Sequence, residues 1–156
     1  MEGIGFSGFI VSVREKLQKV ITQSREKIEG LHIRLILLVG SQATGKSRDK
    51  SDIDMAVFVN PRDFDYSRGG YPTILELGVL FEMELKREDI DIVILNTANP
   101  VMKFNAILDG ILLYQSRNGQ YEDFHVHTLS EYYDYQYFLN QQFEYAKSTL
   151  RGNYNE

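Results

Sequence analysis

At 156 residues the chain has the length of one ordinary domain. Seventeen basic against 22 acidic residues give a net charge of −5, which argues against a broad basic face for sequence-independent nucleic-acid binding but not against a nucleotide escorted by metal ions. The absence of cysteine excludes disulfides, thiolate catalysis and Cys-ligated zinc.

The N-terminal stretch MEGIGFSGFIVSVREK has an apolar patch without a basic region before it, and the patch is far shorter than the ~20 apolar residues that cross a bilayer. A cytoplasmic protein with no membrane contact is the expectation. Ile10, Val13, Leu17, Val20, Ile21, Ser24 and Ile28 recur at three- and four-residue steps, which predicts an amphipathic helix over about 8–29 ending near Gly30. Arg34–Val39 (RLILLV) reads as a buried strand stopped by Gly40. The polar stretch Ser41–Lys50 has room for one short helical turn and a loop. Asp52–Val59 is a second strand, and the Pro- and Gly-bearing segment Asn60–Gly70 is a loop.

Ile74, Leu77, Gly78, Phe81 and Leu85 repeat at helical spacing over about four turns. Asp89–Leu95 (DIDIVIL) is a third strand, and Val101–Leu108 a helix between Pro100 and Gly110. Ile111–Tyr114 suits a short strand or a continuation of that helix. An aromatic-rich helical segment follows over about 121–151. The order predicts a single α+β domain spanning 1–156: a two-layer arrangement in which helices cover one face of a small mixed β-sheet.

Asp-x-Asp occurs three times, and context separates the copies. Asp63 and Asp65 lie in the loop, where aspartate is an ordinary turn residue. Asp52 and Asp54 head a strand, so alternation puts them on one face with Ala56 and Phe58, opposite Ile53, Met55, Val57 and Val59. Adjacent carboxylates repel, and burying one unpaired is costly. A divalent cation resolves both problems, and Mg²⁺ is commonly held by one or two carboxylates together with substrate phosphates. Asp91 interrupts an otherwise apolar strand and joins Asp52 and Asp54 if the two strands pair. Asp89, beside Glu88, belongs to the turn before it. The bland alternative leaves all three as exposed strand-entry residues.

Gly40 ends a buried strand and Ser41 starts a polar segment, so the backbone can approach an anion there, with the Ser41 hydroxyl as a further donor. Gly40 through Ser47 also matches P-loop spacing. A P-loop requires a long helix after Lys46-Ser47, and here Arg48-Asp49-Lys50-Ser51 leads into a strand, so that reading is set aside.

Gly40-Ser41, ten intervening residues, then Asp52-Ile53-Asp54, with Asp91 in a later apolar strand, resembles the signature of the DNA polymerase β-like nucleotidyltransferases. Ile90–Gln115 (IDIVILNTANPVMKFNAILDGILLYQ) looks more narrowly like the minimal nucleotidyltransferases, the MntA-like antitoxins of HEPN/MNT toxin–antitoxin pairs. The resemblance implies that Asp52, Asp54 and Asp91 are catalytic and hold two Mg²⁺ ions. Gly40 and Ser41 would hold the β- and γ-phosphates of ATP. Gln42 and Thr44 stand where the family often carries arginines, leaving Lys46, Arg48 or Lys50 to meet the triphosphate. The acceptor would be a tyrosine of a HEPN-type RNase toxin, silenced by AMP transfer.

Size argues separately for a protein partner, since little chain remains for an acceptor-binding domain. Tyr132, Tyr133, Tyr135, Tyr137, Tyr145 and Tyr154 cluster at the C-terminal end, as in an interface core or in an aromatic helix packed on its own sheet. Two other functions compete: an antitoxin that neutralises its toxin by binding alone, and nucleotide transfer to a small molecule such as an aminoglycoside. His32, His125 and His127 lack metal-ligand spacing and are assigned no chemistry, and Glu82, Glu84 and Glu88 read as a solvated helix face.

Overall fold

The strand β1 (Ile33–Val39) is apolar at nearly every position because it lies at the centre of a sheet covered on both faces. The computed structural model describes residues 5–46 and 51–153, with side chains placed for 13–46 and 51–152. β1 pairs antiparallel with β2 (Ile53–Val59) on one side and with β4 (Ile111–Gln115) on the other. β3 (Ile90–Ile94) adds parallel to β2, giving a mixed sheet in the order β3-β2-β1-β4. The segment that suited either strand or helix is thus a strand, set off from the helix before it by Gly110.

Helices α1 (Gly5–Gln23), α2 (Arg25–Gly30) and α4 (Tyr71–Leu85) accompany one face. There Leu17, Ile28, Leu77 and Phe81 close over Ile36, Leu38, Met55 and Val57, all at 0% exposure. The helix expected over 8–29 is interrupted at Ser24, although Ser24 N–H still donates to Val20 and Ile28 N–H to Ser24. α5 (Pro100–Asp109) and the start of α6 (Gln120–Asn153) lie on the opposite face. Their Ala106, Ile107 and Phe124 meet Leu35, Leu37 and Ala56 in a second, smaller core. Helices therefore occupy both faces of the sheet rather than the one expected. The uniformly apolar run Leu35–Leu38 carries that signal, because a strand with one wet face alternates.

Asn99 caps α5 by accepting from Met102 N–H at 2.8 Å, and Pro100 occupies its first turn, where a missing N–H costs nothing. Asn96 closes the far end of β2, accepting from Val59 N–H and donating to Val59 C=O. The first half of α6 is fastened by Phe124 against Phe58, by Tyr132 stacked on Phe104 at 4.0 Å, and by Lys103 Nζ on Glu131 at 3.1 Å. Beyond Gln136 every described residue of α6 is exposed, including Tyr137, Phe138, Phe143 and Tyr145. At 1.5 Å per residue, its 34 residues run about 50 Å. Among the described residues no helix is long and apolar enough to cross a membrane.

Candidate functional site

The parallel pairing of β2 and β3 puts Asp54 directly across from Asp91, with Ala56 across from Val93 one pleat further along. Side chains on one face of paired strands share direction, so the two carboxylates lie on the α5 side of the sheet. Asp52 sits at the exposed head of β2, two residues from Asp54. Burial pushes the half-buried Asp54 carboxyl above its ordinary range, and the negative charges of Asp91 and then Asp52 push it further. That field links the three acids electrostatically. Among the described residues no three acidic or imidazole side chains close on a common metal-ligand point, so the acids stand as an open ridge along two strand heads. The donor set nevertheless suits a hard divalent cation: oxygen only, anionic, with Asp54 and Asp91 on one face, and open to further ligands.

Asp89 is committed elsewhere. Arg87 Nε donates to its Oδ1 at 2.7 Å, Arg87 Nη2 to its Oδ2, and this guanidinium holds the Asp89 carboxyl below the usual range. Asp63 accepts from Asn60 Nδ2, and Asp65 from the Ser67 N–H and hydroxyl, as turn residues do. His32 Nδ1 lies 3.7 Å from Asp63 at the opposite end of β1, and His125 and His127 lie on α6.

Gly40 closes the ridge on the β1 side. Its φ of +71° and ψ of −154° belong to a region that side-chain-bearing residues avoid. A Cβ there would run into the Asp54 carboxylate, approaching its Cγ to 3.2 Å. Glycine is thus required twice, by backbone conformation and by contact with the acid. Ser41 opens α3 (Ser41–Thr44), a single turn in which the N–H groups of Ala43 and Thr44 both donate to Gly40 C=O at 3.2 Å. Gly45 ends it in a left-handed conformation, so no long helix receives phosphates and a P-loop is excluded. Lys46 follows with an exposed side chain. Arg48 and Lys50, expected to help meet a triphosphate, lie outside the described residues, as does Tyr154.

Gln42 holds a position that in the family often carries an arginine. Instead of facing outward where an arginine would meet phosphate, its side chain is fully buried, and Nε2 donates to Ser51 C=O at 3.1 Å. Its Oε1 has no partner, a state that costs roughly 1–3 kcal/mol. Thr44 is exposed, its hydroxyl 3.4 Å from Gly40 C=O.

Beside the acids lies a cleft of about 400 Å³. Ala56, Val93 and Leu95 form its floor, Gly40 and Thr44 one rim, and Met102, Asn105 and Asp109 of α5 the other. Its size is that of a small-ligand site, apolar with a few polar groups at the rim. Sequence reasoning missed the α5 wall. Its trace was the spacing of Met102, Asn105 and Asp109, which puts two polar residues on a helix face shared with buried Ala106. It also missed Arg87, whose signal was only its place two residues before Asp89.

A search of curated proteins finds no match. Among solved structures, a chain of a toxin–antitoxin crystal structure with AMP-PNP is 26% identical with a TM-score of 0.61, covering 88% of this chain and 98% of that one. A chain of a mutant MntA–HpeT toxin–antitoxin structure is 25% identical with a TM-score of 0.61, covering 86% and 98% respectively. A complex of tri-AMPylated Shewanella oneidensis HEPN toxin with MNT antitoxin contains a chain of the same fold, at 24% identity and a TM-score of 0.56 over 86% and 96%. The family model for polymerase beta, nucleotidyltransferase, matches residues 15–118, a span that holds Gly40, Asp52, Asp54 and Asp91. With the mixed sheet and the carboxylate ridge in place, the chain belongs to the polymerase β nucleotidyltransferase family.

Proposed function

We propose that this nucleotidyltransferase is a cytoplasmic antitoxin that transfers AMP from ATP to a tyrosine hydroxyl of a HEPN-type RNase toxin. The observation that carries the reading is the in-register pair Asp54–Asp91, with Asp52 upstream and the Gly40 turn packed directly against Asp54, beside an open cleft. Likeness to a toxin–antitoxin chain crystallised with AMP-PNP supports the choice of nucleotide and partner.

Asp52, Asp54 and Asp91 would hold two magnesium ions, which when bound neutralise phosphate charge and stabilise the attacking and leaving oxygens of the displacement. Asp91, exposed at the edge strand, is placed to take the proton of the acceptor hydroxyl. The hydroxyl oxygen then bonds to the α-phosphorus as the bond to pyrophosphate breaks. Gly40 admits the β- and γ-phosphates close to the backbone, Ser41 offers its hydroxyl, and Lys46 and Arg48 supply positive charge. The apolar cleft takes the nucleoside, with Asn105 and Asp109 as its polar contacts.

The protein acceptor is argued from α6. Aromatic residues are enriched in interface cores, and Tyr137, Phe138, Phe143 and Tyr145 are all exposed on a helix that has left the body of the fold. Incubation with α-labelled ATP, Mg²⁺ and a HEPN-type RNase should label a tyrosine of that partner. An unlabelled partner, or labelling undiminished by Asp52→Asn together with Asp54→Asn, would refute transfer. A second reading, neutralisation by binding alone, is favoured by the inward turn of Gln42, which removes a residue from the phosphate side. It requires the double Asn variant to neutralise the toxin in cells as well as the native chain does.

A further inference from the structure

Asp52 follows a residue whose carbonyl is held from two directions. Ser51 C=O accepts Gln42 Nε2 at 3.1 Å and Arg87 Nη2 at 3.0 Å. Gln42 belongs to the short turn α3 after β1, Arg87 to the segment that enters β3, and Ser51 to the entry of β2. On the other side of Asp52, Ile53 N–H donates to Asp89 C=O at 2.9 Å. Arg87 is itself oriented by its fork onto Asp89. The backbone on both sides of Asp52 is therefore tied to the elements that carry Gly40 and Asp91.

We infer that Gln42 and Arg87 are positioning residues that set Asp52 at the correct distance from Asp54 and Asp91 for cation binding, using the Ser51 carbonyl as the shared anchor. The inference rests on the reading of the three acids as metal ligands. Gln42 suits this role better than a purely structural one: its amide is fully buried with one half unpartnered, where an apolar side chain would leave no orphaned group. Residues that orient metal ligands typically change metal affinity about 10–100-fold when removed.

The test titrates Mn²⁺ into the full chain with a non-hydrolysable ATP analogue, following bound manganese by its paramagnetic resonance signal, alongside thermal unfolding. Gln42→Leu should weaken manganese binding about tenfold while leaving the unfolding midpoint unchanged or higher, and Arg87→Met should weaken it to a similar degree. Arg87 is only half-buried, so its variant tests the idea even if the substitution at 42 fails to fold. If Asp54→Asn abolishes manganese binding while Gln42→Leu and Arg87→Met bind like the native chain, the positioning role is wrong and the metal reading survives. If Asp54→Asn also binds like the native chain, the metal reading fails and this inference falls with it.

Discussion

The two faces of β2 are built from alternate residues of one seven-residue strand and do opposite work. On the α4 side Ile53, Met55, Val57 and Val59 are at most 2% exposed and join a closed apolar core. On the α5 side Asp54, Ala56 and Phe58 pass from a half-buried acid, through the floor of a cleft, to an aromatic contact with Phe124. The closed face supplies the stability that lets the open face hold like charges at close quarters. Repulsion that would disorder a loop is tolerated here because the same backbone is anchored from behind.

Substitutions on the two faces should therefore separate activity from stability. Asp52→Asn with Asp54→Asn should reduce nucleotide transfer on the order of a thousandfold, since metal-borne charge stabilisation is worth several kcal/mol and each 1.36 kcal/mol is a factor of ten. The same change should not lower the thermal midpoint of the metal-free protein. Because Asp54 titrates above its ordinary value in the fold, its ionisation opposes folding at neutral pH, and that penalty is relieved as pH falls through the folded value. Asp54→Asn alone should accordingly unfold at a higher temperature than the native chain at neutral pH, with the gap closing in acid. A lower midpoint at neutral pH would show that the open face contributes stability after all.

Met55→Ala, one residue along on the closed face, should cost roughly 2–5 kcal/mol in chemical denaturation and leave nucleotide affinity unchanged in the surviving folded fraction. Gly40→Ala tests the boundary between the faces. Strain at positive φ should cost about 1–3 kcal/mol, and the new methyl group displaces the Asp54 carboxylate, so stability and transfer should fall together. The smallest stability effect belongs to α6: Tyr137→Ser with Phe143→Ser should change folding by no more than about 0.5 kcal/mol in denaturant titration. Co-purification with the proposed HEPN-type partner should nonetheless be lost, and retention of the partner would clear that stretch of any docking role.

Much of this was legible in the residues because period-2 and period-3.6 patterns are local. The order of strands and helices, the shared face of Asp54 and Ala56, and the entry of Asp91 into an apolar strand all follow from spacing, whereas Asp52, expected in β2, lies one residue before it. What spacing does not carry is which elements meet. The second helical layer depends on α5 and α6 folding back over β1. The burial of Gln42 depends on a carbonyl nine positions later in the chain, and the Arg87 fork on a turn geometry that composition does not encode. The aromatic C-terminal segment was ambiguous for the same reason. Residues up to Tyr132 pack on the fold and those beyond Gln136 do not, yet both halves are equally rich in tyrosine and phenylalanine.

The facing of Asp54 and Asp91 also makes this fold sensitive to parity. β3 enters through the short turn 86–89 and is held to β2 by ladder bonds that fix Ile53 opposite Ile90. A slip of β3 along β2 by one residue would bring Asp91 opposite Met55 and rotate its carboxylate toward Leu77 and Phe81, a half-turn no side-chain rearrangement can undo. A slip by two would restore the direction and merely displace the acid along the ridge. The ladder between these two strands thus guards the direction of the acid as well as the edge of the sheet.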